Sequence, residues 1–431
     1  MNAMKKILLL LALAAALPVR AGVVIQTWVA PSGAKVLFVE NHDLPILDLQ
    51  IDFAAGSVRT PPGKAGVAGL THGLLDAGAG ELSEEQIAGR QVDLGAHIGG
   101  AVDDDRASLN LRTLSSKAER DGALDLLHTL LSRPTFPEAV LARERTRAIA
   151  AIQEADTRPD AIAAKRFAAA LYPGHPYGAS ATVDSVSRIT RDDLVAFHRR
   201  YYDARHAVVS VIGDVGRQEA EAIVNRLTDG LPAGGGDEPL PAVVLPAAEI
   251  VRLPHPAAQS HIEIGMPALR RGDPDFFALQ VGNYSLGGGG FVSRLMTEVR
   301  EKRGLVYDVH SYFAPRKLEG PFQIGLQTRR DQADAALKVV HEVLDGFLRD
   351  GPTAAELKAA KQNLADGLAL RIDSNAKLLG YLAVIGYYNL PLTWLDDYAA
   401  KVNAVTADQV KQAFARHVKA ENLVTVIVAA D

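Results

Sequence analysis

The chain has 431 residues, of which 48% are hydrophobic, 23% charged and 6% aromatic, and its formal net charge is −5. This length predicts two or three domains with a substantial core, and the charge balance excludes the basic surface with which proteins bind nucleic acids. The absence of cysteine excludes disulfide scaffolds, thiol catalysis and cysteine zinc sites.

Residues 1–21 have the pattern of an export signal. The basic pair Lys5 and Lys6 is followed by an uninterrupted apolar stretch that ends before Pro18, and small residues stand at the −3 and −1 positions of a cleavage site after Ala21. The apolar stretch is too short to cross a membrane, which takes about 20 residues. We therefore predict a periplasmic protein, cleaved after Ala21, that is not embedded in a membrane.

Each half of the remaining chain begins with strands and continues into helices. Residues 36–39 and 47–54 are β-rich runs in the first half, and residues 259–266 form a similar run in the second. The acidic run of Asp103, Asp104 and Asp105 lies between two strand-like segments, and a solvated hairpin turn is its expected structure.

The two halves repeat one another. The segment ALDLLH at 123–128 recurs as ALKVVH at 336–341, 213 positions later, and both copies lie in helical patterns. Near each end a capped helix start, 189–193 or 405–409, leads to a strand, 207–212 or 423–428.

A stretch rich in glycine, proline and alanine, residues 230–248, separates the halves and predicts a linker. The predicted fold class is therefore α+β, with two homologous tandem domains, 22–229 and 249–431. Each domain is expected to be a mixed or antiparallel sheet covered by helices.

The histidines predict no metal site. His341 is followed by Glu342, but Asp345 occupies the position where a helical His-Glu-x-x-His motif needs its second histidine. His255 and His261 are six residues apart and would share a face if they lay on one strand, but no third ligand accompanies them.

A glycine run, Gly287, Gly288, Gly289 and Gly290, precedes a helix in the second half. It lacks the Lys-Ser/Thr pair of a phosphate loop and the spacing of a dinucleotide fingerprint, so it predicts no nucleotide site. Its expected structure is a mobile loop. The helix that follows is expected to end at Gly304.

At this segment the chain resembles the pitrilysin or insulinase family of zinc peptidases, the inverzincins. The resemblance covers nearly all of residues 23–431. Its matching stretches are 44–46 (LPI), 55–57 (AGS), 63–70 (GKAGVAGL), 175–178 (HPYG), 211–215 (VIGDV) and the glycine run with 300–307 (REKRGLVY). The resemblance implies two similar domains in tandem, the fold of the mitochondrial processing peptidase, in agreement with the repeat.

The chain departs from the family at the metal motif. Active members carry H-x-x-E-H on a helix and a further glutamate on a later helix; the histidines and distal glutamate hold zinc, and the first glutamate is the base. Here the aligned stretch reads GLTHG, with Gly69 and Gly73 at the ligand positions and His72 at the base position. Ala151 takes the place of the third ligand, while Glu144, a supporting acid, is kept. Glycine and alanine have no donor atoms, so we expect this chain to hold no metal.

The chain keeps a second feature of the family. The resemblance implies that Arg300 and Tyr307 reach into the site and donate hydrogen bonds to a peptide carbonyl as it becomes an oxyanion. Arg303 is a nearby competitor for the arginine role. The glycine run, Gly287 to Gly290, resembles a substrate-contacting loop.

These features predict the non-zinc subunit of a periplasmic heterodimeric peptidase that degrades unfolded peptides. A homologous partner with H-x-x-E-H would supply the zinc. One alternative is an inert scaffold or peptide-binding protein of the same fold. A second is a self-sufficient enzyme with a site rebuilt around His72 and Glu154. The sequence does not predict a cleavage preference.

Overall fold

The computed structural model describes residues 23–235 and 238–429, so the predicted signal peptide lies outside the described residues. The strands are β1 (Gln26–Val29), β2 (Lys35–Glu40), β3 (Ile46–Phe53), β4 (Gly78–Ala79), β5 (Leu82–Ser83), β6 (His97–Val102), β7 (Ala107–Leu114), β8 (Val208–Gly213), β9 (Glu249–Leu253), β10 (Gln259–Leu269), β11 (Val306–Phe313), β12 (Gly320–Arg329) and β13 (Val424–Val428).

The helices fill the segments between these strands. They are α1 (Val67–Gly73), α2 (Glu84–Asp93), α3 (Lys117–Ser132), α4 (Glu138–Ala155), α5 (Pro159–Leu171), α6 (Val183–Ser187), α7 (Arg191–Tyr201), α8 (Arg217–Thr228), α9 (Phe276–Asn283), α10 (Ala333–Asp350), α11 (Ala354–Asp366), α12 (Leu368–Arg371), α13 (Asn375–Tyr387), α14 (Trp394–Ala404) and α15 (Ala407–His417). The predicted linker, 230–248, lies between α8 and β9.

Two mixed sheets of matching topology form the framework. The first has the strand order β1-β2-β8-β3-β7-β6, and the second has the order β11-β12-β10-β13-β9. Read from its β9 end, the second sheet repeats the order of the first without β1. The parallel pair β13/β9 also occupies the place of the parallel pair β2/β8, and the other neighbours are antiparallel. The predicted fold class, two similar domains with mixed sheets covered by helices, is confirmed.

Each sheet is also covered by a helix from the other half of the chain. Helix α5 packs against β10 and β13, and α13 packs against β2, β3 and β8. Phe167 of α5 shares a buried cluster with Val426, and Leu382 of α13 shares one with Leu37. A Cβ on Gly386 would lie 2.6 Å from the Leu37 side chain, so α13 approaches the first sheet as closely as only glycine permits. The exchange joins the two halves into one packed unit.

Asp105 lies between the two halves and is only 3% exposed. Its Oδ1 accepts a hydrogen bond from the Tyr177 hydroxyl at 2.5 Å, and its Oδ2 accepts from the Tyr388 hydroxyl at 2.7 Å and from the Lys317 backbone N–H at 2.8 Å. The Tyr387 hydroxyl donates to the Asp105 carbonyl at 2.7 Å. Burial, reinforced by Asp105, raises the pKa of Tyr177 and Tyr388, so both phenols remain donors.

The prediction of a solvated turn at the acidic run is therefore wrong for two of its three residues. Asp104 is half-buried and forms an ion pair with Arg316 of the second half at 2.6 Å, and Asp105 is the buried acceptor described above. Asp103 alone remains mostly exposed. The turn accommodates Asp104 and Asp105 because donors from the second half of the chain contact their carboxylates.

Replacement of Asp105 by alanine is expected to lower the free energy of unfolding by roughly 3–5 kcal/mol. The change removes the acceptor of one buried donor, the Tyr177 hydroxyl, and of two partly buried donors, the Tyr388 hydroxyl and the Lys317 N–H. A buried donor without a partner costs about 1–3 kcal/mol. Urea denaturation of the Asp105→Ala variant measures the loss. Asp43→Ala, at an exposed position, is the matched control and should change the midpoint little. Equal urea midpoints for the two variants would show that the hydrogen bonds of the Asp105 side chain contribute nothing to stability.

Candidate active site

Helix α1 carries the two glycines at the aligned ligand positions on one exposed face. Val67, Ala68 and Thr71 are buried in the domain core, whereas Gly69 and Gly73, four residues apart, are exposed. A Cβ built on either glycine would meet no heavy atom within 4 Å. This face of α1 therefore has room for larger side chains but offers no ligand atom at either position.

His72, at the aligned base position, is turned toward the edge of the first sheet. Its Nε2 lies 2.9 Å from the backbone oxygen of Ser108 and donates to it. Gly100 makes room for the ring, because a Cβ there would lie 2.6 Å from His72 Nε2 and 2.0 Å from the Ser108 oxygen. Burial lowers the pKa of His72. The imidazole is therefore a neutral donor to the backbone, and its Nε2 lone pair is not available to a metal.

Helix α4, which packs against α1, presents an ionic network near the aligned third ligand. Ala151 and Glu154 are exposed. Glu144 accepts from Arg143 Nε at 2.7 Å and from Arg147 at 2.8 Å. Arg143 also forms a bidentate pair with Glu84 of α2, at 2.7 and 3.0 Å, and this pairing lowers the pKa of Glu84. The carboxylates of Glu84 and Glu144 are thus paired with guanidinium groups.

The residues present do not fit a family-type zinc ion. Two aligned ligand positions are glycines and the third is alanine, so none of the three offers a donor atom. Among the described residues, the group of three side chains close enough to hold a metal lies elsewhere, at Asp273, Asp275 and His417. Arg416 forms a bidentate pair with Asp275 there, at 2.8 Å to each oxygen, so a guanidinium already occupies that cluster.

Arg300 and Tyr307 come together on the surface of the second half. Arg300 lies at the end of a π-helical segment, Met296–Glu301, a conformation that is rare overall and frequent at functional sites. Its guanidinium carbon lies 5.5 Å from the ring centroid of Tyr307 and 4.8 Å from that of Phe291. Within the described ranges the guanidinium has no hydrogen-bond or ion-pair partner. The predicted pair is therefore adjacent in space, and its donors are free.

Tyr307 is held outward by an irregularity in β11. Val306 pairs with Thr328 and Val309 with Leu326, so β11 has one more residue than β12 between these two pairs. Such a bulge redirects side chains and is common beside active sites. Tyr307 is 83% exposed as a result. Both the phenol and the guanidinium can reach a molecule bound to this surface.

The structure separates Arg300 from its competitor Arg303. The Arg303 guanidinium donates to the backbone oxygen and to a carboxylate oxygen of Glu298, both at 2.7 Å. This pairing lowers the pKa of Glu298, as does that with Lys302. Arg303 is tied to its own helical segment, and Arg300 is the arginine available to an external acceptor.

Phe291 is a functional candidate that the sequence reasoning did not single out. It follows the glycine run and is 64% exposed, and its ring lies against the Arg300 guanidinium, as that of Tyr307 does. Only its position after the glycines could have signalled it. Val292, the next residue, is also an exposed apolar side chain.

The glycine run is only partly the mobile loop that was predicted. Gly287 and Gly288 end a π-helical turn, Tyr284–Gly288. A Cβ on Gly287 would lie 2.4 Å from Ser311 Oγ, so packing against β11 requires glycine there. Gly290, at φ +60°, begins a short 3₁₀ turn. Contact of this run with a substrate remains a prediction.

The three histidines considered in the sequence lie on different elements of the fold. His255 lies in the connection between β9 and β10 and donates to the backbone oxygen of Thr157 at 3.0 Å. His261 is on β10, so the two histidines do not share a strand, because Pro254 and Pro256 interrupt the strand pattern. His341 lies within α10.

The comparisons with known proteins agree with the fold described above. Residues 35–184 match the model of Insulinase (Peptidase family M16), and residues 188–364 match that of the Peptidase M16 inactive domain. The crystal structure of a peptidase M16 inactive domain from Pseudomonas fluorescens superimposes with a TM-score of 0.91 at 38% identity, covering 95% of this chain and 98% of that one.

Two relatives differ in their described activity. The non-peptidase homolog YmxG of Helicobacter pylori is 25% identical over 99% of this chain and 98% of its own length. An uncharacterized zinc protease of Streptomyces coelicolor is 28% identical over 67% of this chain, and the chain spans 65% of that relative's length.

Across the described residues, no helix has the length and apolar character needed to cross a bilayer.

Proposed function

The chain belongs to the M16 family of peptidases, and from this membership we propose that it is the non-zinc subunit of a heterodimeric zinc peptidase acting on unfolded peptides. Its partner is a homologous chain with H-x-x-E-H. The two chains enclose the peptide, and the site combines groups from both. The proposed location is the periplasm, in keeping with the export pattern of residues 1–21.

The observation that carries the proposal is the contrast between the two halves of the site. The aligned metal positions, Gly69 and Gly73, lack donor atoms, whereas Arg300 and Tyr307 are adjacent, with Tyr307 exposed and Arg300 partly exposed. Arg300 has no hydrogen-bond or ion-pair partner in the described part of the chain. A protein that had only a scaffolding role would have no need to keep a partly exposed guanidinium beside two aromatic rings without an acceptor.

The chemistry that this chain contributes is hydrogen-bond donation. The partner's zinc supplies an activated water. Arg300 and Tyr307 donate to the carbonyl oxygen of the scissile peptide and donate more strongly as negative charge develops on it. The rings of Phe291 and Tyr307 lie against the guanidinium and attract it through cation–π contacts.

Reconstitution of activity tests the proposal. Each purified chain alone is expected to cleave a quenched fluorescent peptide at the background rate, and an equimolar mixture with a homologous H-x-x-E-H chain from the same organism is expected to cleave it rapidly. Size-exclusion chromatography with light scattering should show a one-to-one complex. A chain that forms no complex, or a complex no more active than the zinc subunit alone, would instead support the inert scaffold or peptide-binding protein.

A further inference from the structure

Glu263 is a carboxylate in the interior of the second sheet without a cationic partner. It lies on the central strand β10, mostly buried, and among the described residues no lysine, arginine or histidine lies within ion-pair distance of it. The corresponding interior acids of the first sheet are paired, Asp48 with Arg112 at 2.7 Å and Asp52 with Arg106 at 3.2 Å. A buried carboxylate is costly unless it is protonated or a counter-charge is supplied, and a bound cation would supply one.

Glu263 and His310 converge on a gap in the sheet. Gly325 of β12 lies between them, directly opposite Glu263 of β10 on one side and His310 of β11 on the other. A Cβ on Gly325 would lie 3.2 Å from Glu263 Oε2 and 3.2 Å from His310 Nε2. Both polar atoms therefore point into the space that the missing side chain leaves.

The hydrogen bonds around this gap make both atoms acceptors. Asp308 accepts from His310 Nδ1 at 3.0 Å, so in the neutral ring Nε2 carries the lone pair. Gln323 Nε2 donates to Glu263 Oε2 at 2.7 Å and steadies the carboxylate. Gln323 is a neutral amide and supplies no counter-charge. Burial raises the pKa of Glu263, opposed by Gln323 and His310.

An aromatic wall borders the gap and leaves it open to solvent. The ring of Tyr312 stacks on that of His310, with centroids 6.0 Å apart and planes at 12°. The His310 side chain is 51% exposed and Tyr312 is 39% exposed. Two acceptors, one of them charged, beside aromatic faces suit a cation with several N–H donors.

We propose that this gap, formed by Glu263, Gly325 and His310, is a binding pocket for the guanidinium or ammonium group of a basic side chain in a bound peptide. His310 is three residues beyond Tyr307 on β11, roughly 10 Å along the strand, so one extended peptide can reach both. The peptide as the source of the cation rests on the proposed function; the preference of the pocket for a cation does not.

A metal ion is a weaker match for the same atoms. The gap offers two protein ligands, and no third histidine or acid joins them within the described part of the chain. Divalent zinc sites generally have at least three protein ligands. The organic cation is therefore the occupant that we propose.

Paired peptides test the pocket on the isolated chain, without its partner. Two fluorescein-labelled nonapeptides are identical except that the central residue is arginine in one and citrulline, its neutral isostere, in the other. By fluorescence anisotropy, the wild-type chain is expected to bind the arginine peptide roughly tenfold more tightly, since charge-assisted hydrogen bonds to a buried carboxylate are strong. Glu263→Gln and Gly325→Ala are expected to abolish this difference.

The two variants act differently, so that a folding defect cannot account for both results. Glu263→Gln removes the charge at constant shape, whereas Gly325→Ala keeps the charge and fills the gap with a methyl group. Glu249→Gln, at an exposed site on the other edge of the sheet, is the matched control and should retain the tenfold difference. Thermal unfolding of each variant confirms that it is folded.

Three results would overturn the pocket. They are equal or undetectable binding of both peptides by the wild-type chain, a preference that survives in Glu263→Gln and Gly325→Ala, and a preference that EDTA removes, which would point to a bound metal. Failure here is separable from failure of the proposed function, because the reconstituted activity and its dependence on Arg300 would be unaffected.

Discussion

The Arg300→Ala variant is expected to lower kcat of the reconstituted peptidase roughly 10²–10³-fold, as removal of one oxyanion donor does in well-studied enzymes. KM should change less, because the donor strengthens its bond mainly in the transition state. Arg300 has no ion pair to lose in the described part of the fold, so stability and complex formation should be retained. Steady-state kinetics and light scattering on the mixed chains measure both.

The neighbouring arginine supplies the control for this experiment. Arg303 belongs to the same segment but is bound to Glu298, and Arg303→Ala is expected to keep kcat within about threefold of wild type, a difference of less than 1 kcal/mol. Tyr307→Phe, which removes only the hydroxyl, should fall between the two variants. Full activity of an Arg300→Ala/Tyr307→Phe double variant would exclude any role of the pair in the reaction.

Most of the secondary structure was predictable because the strands of this chain are strongly β-rich. The run 47–54 became Ile46–Phe53 and the run 423–428 became Val424–Val428, in both cases residues buried on both faces, whose sequences are necessarily apolar. The duplication was predictable because both halves use the same order of elements. The adjacency of Arg300 and Tyr307 was predictable from a resemblance and a spacing of seven residues.

Contacts between distant parts of the chain could not be predicted. The local sequence predicts a turn residue at Asp105. Its partners in the structure, Tyr177, Lys317 and Tyr388, are 72, 212 and 283 positions away. No local pattern records such pairings. The exchange of α5 and α13 between the sheets was hidden for the same reason, since an apolar helix face does not specify which sheet covers it.

The pairing of Glu263 with Gly325 and His310 was hidden in a different way. Each residue is unremarkable within its own strand, and only the register of three strands brings them into one row. A one-residue shift of β12 would replace Gly325 by a side chain that fills the gap. The candidate pocket therefore depends on strand register, which the sequence alone does not establish.

Restoring the missing ligands is expected to create a zinc site where the wild-type chain has none. The triple variant Gly69→His/Gly73→His/Ala151→Glu places two imidazoles one turn apart on α1 and a carboxylate on α4, the helix packed against it. The open space at both glycines lets the new rings fit without displacing the core. Elemental analysis after dialysis should give about one zinc per chain, with three protein ligands as in catalytic zinc sites.

Saturating zinc should also stabilise the triple variant by about 2.7 kcal/mol at a concentration 100 times Kd, and leave the wild type unchanged. Gly89→His/Asp93→His puts the same pair of imidazoles on an exposed face of α2 without an engineered carboxylate, and should bind zinc far more weakly. A triple variant that retains no zinc would show that α1 and α4 do not present these positions to one ion. Stoichiometric zinc in the wild-type chain would contradict its assignment as a non-zinc subunit. The metal would then be held by residues other than those at the family's motif positions.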